Sequence, residues 1–212
     1  MPVSLVTGFW ITAIFLVGIS SIPSVPFSEL TKHGKLLTCK NRGPFLPKQL
    51  FYQFYVFAIL YLTFLGAYRS FGGVLMLSHV LRRAVEQLLL FPYNRESRMH
   101  VLAYIFGFFY YWAASLSFAT DPISPTLFVS ASVLQFLSHR ELFKHRVGGA
   151  KRFPPDSVLF KYMYCPHYFA EMLIYISLSS VESMDSILCA LFVICSLGIN
   201  WRNHSLYYSS TR

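Results

Sequence analysis

Charge is scarce in this chain. Only 13% of its 212 residues are charged, about half the roughly 25% typical of a soluble domain. Hydrophobic residues make up 55% and aromatics 18%, and the mean hydropathy is +0.48. One soluble core of this size could not hide so much apolar surface; lipid is the simpler solvent. Acidic residues are the scarcest charges, nine against 18 Lys and Arg, which leaves a net charge of +9. That excess is not read as a nucleic-acid surface, because the basic residues lie in short runs between apolar stretches, as in loops that face the cytosol. The four cysteines, Cys39, Cys165, Cys189 and Cys195, have no metal-site or redox spacing. The chain lacks a Gly-x-Gly-x-x-Gly or Walker pattern and a Gly-x-Ser-x-Gly elbow, which argues against a soluble nucleotide fold and an α/β-hydrolase. His139 and His145 are too far apart for the close pairs of a membrane di-iron oxygenase, and no metal site is expected.

Long apolar runs are present instead. A spanning helix needs about 20 apolar residues. Candidates run from Val3 to Ile19, Leu50 to Tyr68, Phe71 to Leu90, Val101 to Ala119, Pro122 to Leu137, Tyr168 to Ser179 and Ile187 to Ile199. The first lacks a basic leader and a small-residue cleavage site, so it reads as a span and not as a signal peptide. The connections at 20–49, 82–99 and 138–161 hold most of the Lys and Arg, whereas the alternate ones hold Asp121, Glu182 and Asp185, with Arg69 the basic exception. The positive-inside rule then places the N-terminus in the lumen and the C-terminus in the cytosol. The expected fold is an all-α polytopic transmembrane bundle of about seven spans. It forms a single membrane domain over 1–212, with a first span and cytosolic loop over 1–49.

Ionisable residues within or beside a span mark candidate function. His79, Arg82, Arg83 and Glu86 share one helical face by their three- and four-residue spacing. They form either a snorkelling helix end or a polar face turned into a cavity. In Cys165-Pro166-His167-Tyr168-Phe169-Ala170-Glu171, Pro166 opens a helix whose first turn carries His167, Tyr168 and Glu171. Its free N–H groups suit an anion, although Glu171 would also serve as a plain cap. The run from Ser138 to Arg146, with Arg140 and Lys144, is a solvated or lipid-contacting face or a grip for a phosphorylated cofactor. The run Trp201 to Tyr208, with His204 and Tyr207, is an aromatic belt or the mouth of a site.

These stretches resemble the steroid 5α-reductase superfamily, most closely its polyprenol/polyprenal reductase branch. Leu46-Pro47-Lys48-Gln49-Leu50-Phe51-Tyr52-Gln53-Phe54-Tyr55 is similar to that branch's entry to a span. His79-x-x-Arg82-Arg83-x-x-Glu86 precedes Met99-His100-Val101 and Phe106-Gly107-Phe108-Phe109-Tyr110-Tyr111. Cys165-Pro166-His167-Tyr168-Phe169-Ala170-Glu171-Met172-Leu173-Ile174-Tyr175 resembles the most specific signature, and His204-x-x-Tyr207 its close. The resemblance implies a reductase core over 50–212 in the endoplasmic reticulum membrane. There NADPH, entering from the cytosol, would reduce the α-isoprene double bond of a polyprenal towards dolichol for N-glycosylation.

Carried over, Arg83, Tyr168, Glu171, His204 and Tyr207 would contact the cofactor, and His79 would lie near the lipid. The candidate catalytic set is His79, Tyr207 and Glu86. The candidate cofactor set is Arg83, Arg140, Lys144, His167, Tyr168, Glu171 and His204. The expected partners are the polyisoprenoid substrate and membrane lipids, with neither nucleic acid nor an obligate protein partner. His167 stands where the signature has Asn, and Val80 where steroid-reducing members have Tyr, which argues against steroids. The family normally continues into a basic tail beyond the position of Arg212, so a truncated or divergent member is expected. Two other readings stay open: an isoprenoid methyltransferase using S-adenosylmethionine, and a non-catalytic lipid-binding protein.

Overall fold

A computed structural model describes residues 4–22, 44–90, 97–118, 121–147, 155 and 157–209, the side chains of 207–209 excepted. Eight α-helices run through them: α1 (Leu5–Ser20), α2 (Tyr52–Phe64), α3 (Phe71–Val85), α4 (Val101–Ser117), α5 (Pro125–Val147), α6 (Val158–Tyr162), α7 (Pro166–Leu178) and α8 (Met184–Ser209). The all-α class expected from the sequence holds. One small sheet is added to it, β1 (Phe45–Pro47) antiparallel to β2 (Arg98–His100), with Phe45 opposite His100.

The helix starts follow from local chemistry. The Ser4 hydroxyl accepts from Thr7 N at 3.0 Å at the start of α1, and Ser70 accepts from Gly73 N at 3.2 Å at the start of α3. His100 caps α4 by accepting from Leu102 N at 3.1 Å. Pro166 takes the first position of α7, where the missing N–H costs nothing. Gly66, at φ +71°, turns the chain between α2 and α3 through the left-handed region. Gly107 on α4 faces the Phe54 ring so closely that a Cβ there would come within 2.6 Å of it. This brings α2 and α4 together.

Packing assembles α5 with α7, α1 with α8, and α2 with α3 and α4. The β1–β2 pair ties the entry of α2 to the entry of α4. The start of α5 is pinned to the end of α7 by Ile123 N to Ser179 O at 2.8 Å and Ser124 N to Ser177 O at 3.2 Å. A serine-rich turn then leads into α8, where Ser180 N donates to Ser186 Oγ at 2.9 Å. Trp10 Nε1 donates to Ser117 Oγ at 3.0 Å, linking α1 to α4.

The helices differ from the expected spans mainly in length. Helix α5 continues ten residues past Leu137, so the basic run expected in a connection is helical to Val147. No Gly or Pro interrupts it before Gly148, and Glu141, Leu142 and Lys144 are good helix formers. Helix α8 likewise carries Trp201 to Tyr208 on its last turns. The third run is α3 followed by a π-helical turn over Glu86–Leu90. Of the basic connections, residues 23–43, 91–96 and 148–154 lie outside the described residues.

Along α8, Met184–Leu206 is long and apolar enough to cross a membrane, and Leu5–Ser20 and Val101–Ser117 are shorter apolar helices. The outer faces are rich in large apolar side chains: Leu5 is 78% exposed, Phe15 66%, Leu60 66% and Phe64 84%. Inside the bundle the apolar core is interrupted by buried His79, Glu86, Gln87 and Gln135, all four on α3, its π turn and α5.

Candidate active site

The polar cluster is built on α3. His79, Arg82, Arg83 and Glu86 recur at three- and four-residue spacing, and the π turn that begins at Glu86 ends the regular ladder there. Such turns are frequent at functional sites. Glu86 is almost fully buried and is the hub of the cluster. Arg82 Nη1 donates to one carboxylate oxygen. Arg83 Nη1 donates to the other at 2.6 Å, and His139 Nδ1 on α5 lies 2.9 Å from that same oxygen. The same His139 nitrogen is 3.0 Å from Arg83 Nη1, and it can serve only one of the two at a time.

Both arginines reach further. Arg82 Nη2 donates to Gln135 Oε1 on α5 and lies 3.2 Å from His79 Nδ1. Arg83 Nη2 donates to the Tyr55 hydroxyl on α2 at 3.3 Å. A guanidinium can only donate, so Arg82 makes His79 Nδ1 an acceptor. The ring proton then sits on Nε2, which lies 3.4 Å from Glu171 Oε1 on α7 without the alignment of a hydrogen bond. His79 therefore presents one N–H beside Glu171, and its ring centroid lies 5.8 Å from that of Tyr175.

A second line of rings leads from this cluster along α7 to α8. His139 and His167 have ring centroids 5.7 Å apart, His167 and Tyr168 4.3 Å, and Tyr168 and His204 6.1 Å. His167 Nδ1 is buried and has no hydrogen-bond partner. Asn200, buried on α8, leaves its Oδ1 unpartnered as well. Buried polar atoms are nearly always paired in native proteins, so an orphan on this ring line, with a second one helical turn before its His204, points to a ligand. Cys165, at the start of α7, is buried, and burial pushes its thiol up to about 12. It is no nucleophile.

Of the residues singled out in the sequence, the structure brings together His79, Arg83, Glu86, Glu171, His167, Tyr168 and His204. Arg140 and Lys144 do not join them. Both are exposed and turn to Glu141, at 3.5 and 3.2 Å. Successive helix residues are about 100° apart, so the His139 face and the Arg140–Lys144 face of α5 look in different directions. Tyr207 lies on α8, and its side chain is outside the described residues. Glu86 is engaged by three partners, which suits an anchor more than a proton carrier. The sequence assigned no site role to Tyr55, Gln135, His139 or Asn200. Gln135 and Asn200 stand out only as lone amides in apolar runs, with His139 and His204 one turn further on the same face.

Residues 93–211 match the family described as 3-oxo-5-alpha-steroid 4-dehydrogenase. The chain is 31% identical over 175 residues to polyprenal reductase 1 of Arabidopsis thaliana, covering 64% of this chain and 54% of that protein. It is 30% identical over 216 residues to the polyprenal reductase of Saccharomyces cerevisiae, covering 92% of this chain and 85% of that protein. Polyprenal reductase 1 of Oryza sativa subsp. indica is 30% identical over 174 residues, with 58% and 49% covered. The chain thus spans about half the length of these two plant relatives and most of the yeast one.

Proposed function

Because this chain belongs to the 3-oxo-5-alpha-steroid 4-dehydrogenase family, we propose that it is a membrane-embedded, NADPH-dependent oxidoreductase. Its reaction is the saturation of the α-isoprene double bond of a polyprenal, on the route to dolichol. The observation that carries this reading is the buried His79 N–H, fixed by Arg82 and Gln135 and set against Glu171 inside an apolar bundle. The relatives' names supply the substrate class. Neither the matched family nor those names lend support to the methyltransferase or the non-catalytic reading.

The substrate class agrees with elementary reactivity. Hydride adds readily to an alkene only when a conjugated carbonyl withdraws electrons, so the enal is reducible and the allylic alcohol is not. The dinucleotide, when bound, supplies the hydride. His79 Nε2–H is the donor that would hold the aldehyde oxygen as negative charge develops on it. Glu171 Oε1 lies 3.4 Å from that nitrogen, beside the place the aldehyde oxygen would take. Restoring a proton at the α-carbon completes the saturation.

The residues present fit the dinucleotide. The orphaned His167 Nδ1 lies on the first turn of α7, where helix N–H groups and the helix dipole favour a phosphate. His167, Tyr168 and His204 would hold it, and Arg83 would add positive charge from the floor of the site. The Arg140–Lys144 face lies outside this set.

The apolar outer faces of α1 and α2 and the length of α8 support a bundle immersed in lipid. Seven spans, with the polar cluster near the cytosolic side and the N-terminus in the lumen of the endoplasmic reticulum, agree with the placement of basic residues. Cells lacking the protein test the proposal: their polyprenol-to-dolichol ratio should rise and return to normal when the wild-type gene is restored. An unchanged ratio would overturn it.

A further inference from the structure

Asn200 is 5% exposed. Its Nδ2 donates to Ser196 O at 2.9 Å, which fixes the amide orientation and leaves Oδ1 as an acceptor with no donor. Apolar residues would fill such a position at lower cost, so an orphaned amide oxygen there needs an explanation. Its place in the fold suggests one. On α8, Asn200 follows Phe192 by eight residues and precedes His204 by four, about 80° and 40° away around the helix. Phe192 lies 5.7 Å from the Tyr110 ring, and Tyr110 lies 6.4 Å from Tyr175, the neighbour of His79. His204 lies 6.1 Å from Tyr168. Along α8, Asn200 therefore lies between Phe192, whose ring neighbours lead by way of Tyr110 and Tyr175 to His79, and His204, the neighbour of Tyr168.

Whatever reaches Asn200 must bring a donor. The aldehyde and the isoprenoid chain have none, and phosphates only accept. The donors of the reduced dinucleotide are its carboxamide N–H, its ribose hydroxyls and its adenine amine. Only the nicotinamide end has to travel from the mouth to the level of His79, where the reacting carbon would lie. We propose that Asn200 Oδ1 accepts a hydrogen bond from the nicotinamide carboxamide and thereby sets how deep the ring enters. This rests on the NADPH reading above.

The test compares NADPH with its 3-acetylpyridine analogue, which replaces the carboxamide NH2 by a methyl group. Binding is read by titration and by the shift in thermal unfolding, without lipid substrate. Wild type should bind the analogue about tenfold more weakly, the size of one hydrogen bond to a buried acceptor. Asn200→Ala, and Asn200→Leu should the first variant fold poorly, should bind both nucleotides within about twofold of each other, because the acceptor is gone. Discrimination that survives in either folded variant, or is absent from wild type, overturns the assignment and leaves the reductase reading intact. Absence of NADPH binding to wild type overturns both.

Discussion

Glu86 and His139 meet at 2.9 Å across 53 residues of chain, joining the π turn after α3 to the inner face of α5. That carboxylate also receives Arg82 and Arg83. Glu86 compensates charge that the two arginines bring near the core, and they in turn reach His79 and Tyr55. Glu86 is thus placed as the anchor of the site, and the group presented to a substrate is His79.

Glu86→Gln should destabilise the protein strongly. Removing one partner of a buried ionic cluster typically costs about 3–5 kcal/mol, because the remaining charges stay buried without compensation. The check is thermal unfolding in detergent, with Glu141→Gln as the control. Glu141 pairs with the exposed Arg140 and Lys144, so its loss should change stability by no more than about 1 kcal/mol. Equal effects of the two exchanges would contradict the anchoring role of Glu86.

Gln135→Leu should act on rate more than on stability. It removes the acceptor for Arg82 Nη2, so the guanidinium that fixes the His79 tautomer loses one of its partners. The expected result is a fall in kcat of about tenfold or more, the range for a misplaced positioning group, with little change in KM for NADPH. Gln135→Glu keeps an acceptor and should retain more activity than the Leu variant. A Leu variant with wild-type kcat would remove Gln135 from the account.

Gly107→Val should loosen the contact between α2 and α4. The added side chain meets the Phe54 ring at 2.6 Å, and the ring is buried. Overpacking of this kind costs about 1–3 kcal/mol. Phe54→Leu in the same chain should restore part of the loss, as a double-mutant cycle would measure. Purely additive effects would argue against the contact.

Cys165 should resist alkylation at pH 8 in the folded protein and react once the protein is denatured. Its thiol is buried and is pushed up to about 12, so almost no thiolate forms at that pH. The sign follows for stability. The unfolded thiol releases its proton near the ordinary value of 9.0 while the folded one keeps it, so this group draws stability down as pH rises from there towards 12. Cys165→Ser should flatten that alkaline slope.

Much of this was legible in the sequence, and what was not has physical causes. The α3 face was readable because His79, Arg82, Arg83 and Glu86 follow helical spacing within eight residues. Their partners were not, since Gln135 and His139 approach only through the packing of distant helices. The basic run 138–146 reads as one set along the chain, yet helix geometry turns His139 inward and Arg140 and Lys144 outward. Helix α5 outruns the apolar run that marks the expected span for a related reason. Falling hydropathy marks where an apolar run stops, not where a helix stops, and Glu141 and Lys144 carry the helix on as a charged extension. The paired strands at Phe45 and His100 left no alternation long enough to notice.

The most direct test of the central claim is transfer of deuterium to polyprenal. Membranes containing the wild-type protein or His79→Ala are supplied with polyprenal and NADPH deuterated at its transferable position. The account predicts dolichal carrying one deuterium at the β-carbon with the wild-type protein, and a rate lower by at least about a hundredfold, the scale of a lost charge-stabilising donor, with the variant. Unreduced polyprenal with the wild-type protein, or undiminished labelling with His79→Ala, would contradict it.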